Sequence, residues 1–598
     1  MGKYLVRIFA VIGLILTLSI AIGAFSTWFW LTRPAPPAIA PAAMVLDLDF
    51  TAPIADQSRG FSLALDALLQ EEPEVSLPAI IHAIDAARVD PRVKGIDAHF
   101  DAQQPKMAHA QEIRAALQRF ADSKKFTYAY APNYGDFGQG NRVYYLASAF
   151  ENIWLQPVGT VGLSGVTMQA PFAKSALEKI GVSADFMRRD EYKSVMENVT
   201  RDDFSPDVFK NMDAMIKDLA AQQIEGIAAS RKLDVAKTRA LADNGPYIAQ
   251  EALAAQLITK IGYEDEMLKE VREKAGAGVV RVDVFSYLSF ADSAAEPKAT
   301  IALINGLGMI TDNLPKGPQR LANEGIIDTD EVVAAFADAA ADPEVRAILF
   351  RVDSPGGSPS ASETIRHALI RAKESHKPIF VSMGDVAASG GYWISMNADH
   401  IVAQPATLTG SIGVVAGKFV LGGLWDKLGI KWQTLATGEN PSMWSSLEPF
   451  SKHGRNRLNA LLDDTYAAFI KNVAEARKIP LEKMPDIAKG RIWTGQQALK
   501  VGLVDELGGL QTTVAALKKE LKLQPEDVVA LKQFPPPETP TALAIKIMRN
   551  IGLESASLGE VASSWRRFQA AAAPWLQEID ASGAVMMRMP SAVTQMSR

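Results

Sequence analysis

The sequence predicts an α/β protein made of two tandem α/β domains that follow one membrane-spanning segment. Three observations predict it: a long uncharged apolar run near the amino terminus, a repeat of about 250 residues, and alternating strand and helix patterns within each copy. In the second copy, AILFRV (Ala347–Val352) and IFVSM (Ile379–Met383) have the apolar character of buried strands, and the residues between them have helical spacing. Repeated units of this kind predict parallel-rich sheets covered by helices.

The first element is the apolar run Ile8–Thr32, which contains no charged residue. It is long enough to cross roughly 30 Å of hydrocarbon as a helix. It ends in the aromatic cluster WFW, which suits a membrane interface. Lys3 and Arg7 precede the run and only Arg33 follows it closely, so the amino terminus is predicted to be cytoplasmic and the remainder to lie outside. A signal peptide cleaved near PAPPAIAPAA is the alternative.

The composition excludes several classes of function. The 598 residues are 48% hydrophobic and 22% charged, as in globular proteins. The net charge of −6 comes from intermixed charges without a basic stripe, so nucleic acid is not an expected partner. The chain has no cysteine, which excludes disulfides, thiolate metal sites and a cysteine nucleophile.

The repeat defines the domains. DPRVKGI (Asp90–Ile96) matches DPEVRAI (Asp342–Ile348) at a spacing of 252 residues, and Gly165 matches Gly413 at a spacing of 248. Matches in register over most of two halves indicate two copies of one unit. The predicted segments are a cytoplasmic tip and membrane anchor (1–33), a stiff Pro/Ala linker (34–41), a first domain (42–275), an inter-domain linker (276–296), a second domain (297–525) and a tail of unknown role (526–598).

Two segments of the second copy carry candidate chemistry. DSPGGS (Asp353–Ser358) follows a predicted strand, and Gly356 and Gly357 can adopt backbone angles closed to other residues. Their N–H groups are candidates for an oxyanion hole, with an ordinary glycine turn as the alternative. GDVAASGGYWI places Ser389 between a strand and a helix with small neighbours, which predicts either a nucleophile or a helix N-cap.

A serine nucleophile needs a base, and none of the seven histidines has a clear catalytic setting. DSPGGS, AASGGYW, TGSIGV (Thr409–Val414) and EYKSVMENVTRDDFSP (Glu191–Pro206) together resemble the long, tandem-repeat form of signal peptide peptidase A, also called protease IV. The resemblance covers roughly residues 42–525. It implies a fold related to those of Clp protease and crotonase. It also implies a Ser/Lys dyad in which Ser389 is the nucleophile and Lys193 the general base. By position, Ser411 would hydrogen-bond the amine, with a structural turn as the alternative role for Ser411.

The two copies differ at every one of these positions. At the spacings of 248 and 252, the residues that correspond to Ser389, Lys193, Gly356 and Gly357 are Asn141, Pro441, Gln104 and Pro105. Each copy thus keeps what the other lacks. We therefore predict one active site per chain, at the junction of the domains.

Lys193 must lose its proton to act as a base near neutral pH, so its pKa has to be lowered by burial or by nearby positive charge. Arg188 and Arg189 would lower the pKa, whereas Asp190 and Glu191 would raise it. The sequence leaves the sign of their combined effect open.

The resemblance implies a periplasmic serine endopeptidase, anchored in the inner membrane, that degrades cleaved signal peptides and other apolar peptides. It also implies assembly into a homotetramer, and a Ser/Lys mechanism needs no metal or organic cofactor. Two alternatives remain: a catalytically silent membrane-associated scaffold ring, and a crotonase-type acyl-CoA enzyme, which would form no covalent serine adduct.

Overall fold

The computed structural model describes residues 40–56, 75–101, 105–135, 138, 140–291, 296–312 and 325–536. The predicted membrane segment, nearly all of the Pro/Ala linker and the tail from residue 537 lie outside these ranges. Within the ranges that are described, no helix combines the length and the apolar character needed to cross a bilayer.

The first half contains a six-stranded parallel sheet with the strand order β8-β4-β3-β2-β1-β9. Three further strands, β5, β6 and β7, lie outside this sheet. The strands are β1 (Met44–Phe50), β2 (Val93–Phe100), β3 (Phe126–Ala131), β4 (Asn152–Leu155), β5 (Thr160–Val161), β6 (Ser183–Arg188), β7 (Tyr247–Ile248), β8 (Lys260–Ile261) and β9 (Val280–Asp283).

Helices cover this sheet and extend from it, and the longest of them is α6. The helices are α1 (Leu77–Val89), α2 (Met107–Ala121), α3 (Asn141–Ala147), α4 (Lys174–Ile180), α5 (Glu197–Thr200), α6 (Pro206–Arg231), α7 (Val235–Asn244), α8 (Ala249–Ala254), α9 (Glu264–Ala275) and α10 (Val284–Ala291).

The second half contains a nine-stranded sheet with the main order β11-β10-β12-β13-β14-β18. Strand β19 pairs with β10, β15 pairs with β13, and β17 is antiparallel to β15. A tenth strand of this half, β16, lies outside the sheet. The strands are β10 (Ala299–Thr311), β11 (Ile326–Asp328), β12 (Val345–Gly357), β13 (Ile379–Ala388), β14 (His400–Ala403), β15 (Leu408–Gly410), β16 (Val415–Val420), β17 (Ile492–Thr494), β18 (Glu506–Leu507) and β19 (Val529–Phe534).

The helices of the second half follow the same plan, and a 3₁₀ turn at Leu481–Lys483 precedes α16. The helices are α11 (Thr329–Ala341), α12 (Pro359–Lys373), α13 (Gly390–Trp393), α14 (Gly422–Lys427), α15 (Lys452–Arg477), α16 (Met484–Ile487), α17 (Gly495–Lys500) and α18 (Leu510–Glu520).

The two sheets repeat one topology. The order β8-β4-β3-β2-β1-β9 of the first half corresponds, strand by strand, to β18-β14-β13-β12-β10-β19 of the second. The predicted α/β class with parallel sheets in two repeated units is confirmed. The strands are apolar because helices cover both faces of a parallel sheet. In β13, for example, every residue from Ile379 to Ala388 is buried.

The halves are joined by a strand pair that the repeat does not predict. Strand β6 of the first half pairs antiparallel with β16 of the second, from Ser183 opposite Val420 to Arg188 opposite Val415. The residues that follow β6, including Lys193, are thereby directed toward the second half.

Candidate active site

Ser389 stands at the end of β13, immediately before α13. Its backbone has φ 56° and ψ −116°, a conformation that is costly for a residue with a side chain. The Ser389 N–H donates to the Gly410 carbonyl at 2.8 Å, and its side chain makes no capping hydrogen bond to the helix. Ser389 is fully buried. Its hydroxyl is thus held in a strained turn and does not cap the helix.

Lys193 lies in the segment between β6 and α5 and is also buried. Its Nζ is 2.8 Å from Ser389 Oγ, 3.0 Å from the Ser411 carbonyl oxygen and 3.1 Å from Ser411 Oγ. A neutral amine has two hydrogens and one lone pair. It can donate to the two Ser411 oxygens while its lone pair accepts the Ser389 hydroxyl proton, which is the arrangement that a general base requires.

Burial lowers the pKa of Lys193 to about 7. The two neighbouring arginines are engaged elsewhere. Arg188 binds the Lys193 carbonyl oxygen at 3.0 Å and Glu197 at 2.6 Å, and Arg189 pairs with Asp463 at 2.5 Å. The pKa is therefore lowered by removal of the amine from water, because burial disfavours the charged form.

Two glycines of the second half form the wall behind the lysine. Gly490 has φ +81°, and a Cβ at this position would stand 2.5 Å from the Lys193 backbone nitrogen. A Cβ on Gly413 would stand 3.3 Å from Lys193 Cδ. The preceding residue, Tyr192, donates its N–H to the Lys489 carbonyl at 3.0 Å. Gly490 belongs to none of the motifs that the sequence shows, so its contact with Lys193 was not predicted.

Ser411 follows β15 and also has a positive φ, of 49°. Its N–H donates to the Arg491 carbonyl at 2.7 Å, so the segment that contains Gly490 also holds Ser411. The structure brings Ser411 and Lys193 together at the predicted contact.

Gly356 and Gly357 are the last two residues of β12. The strand therefore extends through the glycines, where the sequence was interpreted as a turn. Gly356 has φ +105°, and its N–H lies 3.2 Å from Ser354 Oγ. A Cβ on Gly390 would stand 3.0 Å from the Gly357 nitrogen, so this strand end packs directly against the residue after Ser389. Their role as oxyanion-hole donors stays a prediction.

The equivalent position in the first half has a structural role. Asn141, which corresponds to Ser389, accepts from the Ser164 N–H at 3.0 Å and donates to the Gly165 carbonyl at 2.5 Å.

Four of the histidines lie beside carboxylates: His99, His109, His400 and His453.

A cavity of about 200 Å³ opens beside Lys193. Its wall combines apolar side chains with polar and charged ones, including the Arg188–Glu197 ion pair at one side. It is lined by Phe186, Met187, Arg188, Lys193, Met196, Glu197, Thr200, Arg201 and Val415.

Parallel α/β halves that bring a buried amine to a serine hydroxyl have the parts of a serine hydrolase with a lysine in place of the usual histidine. The chain belongs to peptidase family S49, whose family model matches residues 119–278 and 371–524, one region in each half. It is therefore a serine peptidase.

Curated relatives agree with this assignment. The chain is 34% identical over 468 residues to "Protease 4" of Salmonella typhi, a match that covers 75% of this chain and 73% of the relative. It is 30% identical to "Protease 4" of Haemophilus influenzae, over 79% of this chain and 78% of the relative. It is 28% identical to "Serine protease SPPA, chloroplastic" of Arabidopsis thaliana, over 78% of this chain and 68% of the relative.

Proposed function

We propose that this protein is a membrane-anchored serine endopeptidase that degrades cleaved signal peptides and other apolar peptides with a Ser389/Lys193 dyad. The observation that carries the proposal is the 2.8 Å contact between Lys193 Nζ and Ser389 Oγ, in a site where both residues are buried. Each half supplies one member of the pair, so the chain has one complete site.

In the first half of the reaction, neutral Lys193 accepts the Ser389 hydroxyl proton as Oγ attacks the scissile carbonyl carbon. The carbonyl π electrons move onto oxygen, and the N–H groups of Gly356 and Gly357 are the candidate donors to this oxyanion. The Lys193 ammonium then gives its proton to the leaving amine nitrogen as the C–N bond breaks. The products are an acyl-enzyme ester on Ser389 and the free amine.

In the second half, neutral Lys193 takes a proton from water, whose oxygen attacks the ester carbonyl carbon. The tetrahedral intermediate expels Ser389 Oγ, which recovers its proton from Lys193. The new carboxylic acid leaves and loses its proton to solvent, and the site returns to its starting state. Because both residues are buried, the surrounding loops must open enough to admit a peptide backbone.

The cavity beside Lys193 has an apolar part, formed by Phe186, Met187, Met196 and Val415. This part suits an apolar side chain near the scissile bond and supports the substrate class. It is also supported by the name of a further relative, "Putative signal peptide peptidase SppA" of Enterococcus faecium, which is 32% identical over 38% of this chain and 66% of the relative. The apolar run Ile8–Thr32 supports attachment to the inner membrane with the catalytic halves in the periplasm. A homotetramer is part of the proposal.

The test is cleavage of leader-like peptides by the detergent-solubilised full chain, beside Ser389→Ala and Lys193→Ala, with fluorophosphonate labelling of each. We expect the wild-type protein to cleave the peptides and to take one label per chain, on Ser389. Both variants should fold but should not cleave the peptides. A wild-type protein that neither labels nor cleaves would contradict the proposal. Peptide capture without cleavage would favour the scaffold ring, and acyl-CoA turnover without a serine adduct would favour the crotonase-type enzyme.

A further inference from the structure

Asp353, the first residue of DSPGGS, ties together the two strand ends that carry the site. Its Oδ1 accepts from the Val386 N–H at 2.8 Å, three residues before Ser389. A Cβ on Gly384 would stand 2.9 Å from the Asp353 Cβ, so the carboxylate lies directly against β13. Its side chain is only 10% exposed. Asp353 thus sets the distance between the ends of β12 and β13.

The first half supplies the counter-charge to this carboxylate. Lys106 Nζ is 2.7 Å from Asp353 Oδ2 and 2.9 Å from Asp56 Oδ2. Beside it, the Ala108 N–H donates at 3.0 Å to Oδ1 of Asp385, which belongs to β13. The amino end of α2 therefore binds two carboxylates of the second half, each within a few residues of a predicted site residue.

Lysine is an unusual residue type for the position that Lys106 occupies at the amino end of α2. It occupies the N-cap of α2 without a side-chain capping bond, and a cation at a helix amino terminus opposes the helix dipole. At the repeat spacing of 252 its counterpart is Ser358, which caps its own helix α12 through the Ala361 N–H. The first copy has a poor cap at this position and makes an ionic contact to the other half instead.

We propose that Lys106 is a positioning residue of the active site, which acts through Asp353 and the Val386 amide to hold the Gly356–Gly357 strand end in register with Ser389. The inference rests on the proposed function. Because a displacement of about 1 Å at a reacting group costs on the order of 100-fold in rate, Lys106→Met is expected to lower kcat by roughly 10- to 100-fold. KM is expected to change by less than about 3-fold, since substrate-binding groups stay in place.

The decisive experiment is a double-mutant cycle between Lys106→Met and Asp353→Asn in the full chain, with kcat expressed per fluorophosphonate-titrated site. Asparagine keeps the Oδ1 acceptor for Val386 but removes one of the two carboxylate charges that Lys106 balances, the one on the strand end that carries the site. We expect Lys106→Met to slow the wild type strongly and to change the Asp353→Asn protein by less than about 2-fold. Lys106→Arg is expected to restore most of the rate.

Lys125→Met is the control for a purely structural lysine. Lys125 Nζ donates to the carbonyls of Ala87 and Asp90 within the first half, so its loss should lower the melting temperature and leave kcat per titrated site unchanged.

The proposal is overturned if Lys106→Met keeps the wild-type kcat, or if it slows the wild type and Asp353→Asn proteins equally. If Lys106→Met does not fold, the double variant Lys106→Met/Asp353→Asn still tests the proposal. The proposal requires the kcat of the double variant to match that of Asp353→Asn alone. Failure of the proposed function is distinguishable, since wild type itself would then neither label nor cleave.

Discussion

Gly490 lies directly behind Lys193, and its replacement by alanine tests how tightly the position of the amine is set. An alanine Cβ would stand 2.5 Å from the Lys193 backbone nitrogen and 2.6 Å from its Cα and Cβ. Ordinary carbon contacts are about 3.5–4.0 Å, so the two segments must separate by about 1 Å. A shift of that size at Lys193 would stretch its 2.8 Å contact with Ser389 beyond hydrogen-bonding range.

The expected result of Gly490→Ala is a loss of on the order of 100-fold in kcat with little change in KM. The positive φ of +81° adds a backbone cost of about 1–2 kcal/mol to the folded state, so the melting temperature should also fall. The assay is peptide cleavage per titrated site, beside thermal unfolding.

Gly429→Ala is the matched control for the Gly490 variant. Gly429 has a similar φ of +74°, but a Cβ there meets nothing within 4 Å. It should lose stability by a similar backbone cost and keep kcat. If Gly490→Ala also keeps the wild-type kcat, Gly490 does not fix the position of Lys193.

Two further variants probe the amine. Ser411→Ala removes an acceptor at 3.1 Å from Lys193 Nζ, and since one hydrogen bond contributes about 1 kcal/mol, kcat should fall roughly 5-fold; an unchanged rate would leave Ser411 only a structural turn. Lys193→Met should raise the free energy of unfolding near pH 7, because burial lowers the pKa of Lys193 to about 7 and the folded protein must hold the amine neutral. Between pH 7 and about 10.4 the unfolded lysine keeps its proton while the folded one is neutral, so the wild type gains stability as the pH rises. The advantage of Lys193→Met should therefore shrink by about 1.4 kcal/mol per pH unit above pH 7. Urea unfolding at pH 7, 8 and 9 measures it, and a gain that does not vary with pH would contradict the assigned cause.

The repeat made much of the fold predictable. The two copies share apolar patterns, and a pattern with a fixed period determines strand and helix positions in both halves. The strand pair β6–β16 was not predictable in this way, because it joins positions that are not equivalent in the two copies. Its partners are neighbours only after both sheets have formed.

The candidate site was predictable only in part, for the same reason. Ser389 and Lys193 were found through motifs, but their 2.8 Å separation depends on contacts between residues 196 positions apart. Gly490 and Lys106 carry no motif, and their roles come from what they touch across the junction. The direction in which the pKa of Lys193 shifts could not be predicted from the sequence either, because it depends on the burial of the amine.

The proposed mechanism requires Lys193 to be the base for Ser389, and the pH dependence of Ser389 labelling by a fluorophosphonate tests this most directly. Burial lowers the pKa of Lys193 to about 7, so the labelling rate should rise with pH and level off above an inflection near 7. Lys193→Ala should label far more slowly and lose that inflection while remaining folded. A wild-type rate in Lys193→Ala, or an inflection that persists without the lysine, would contradict the account.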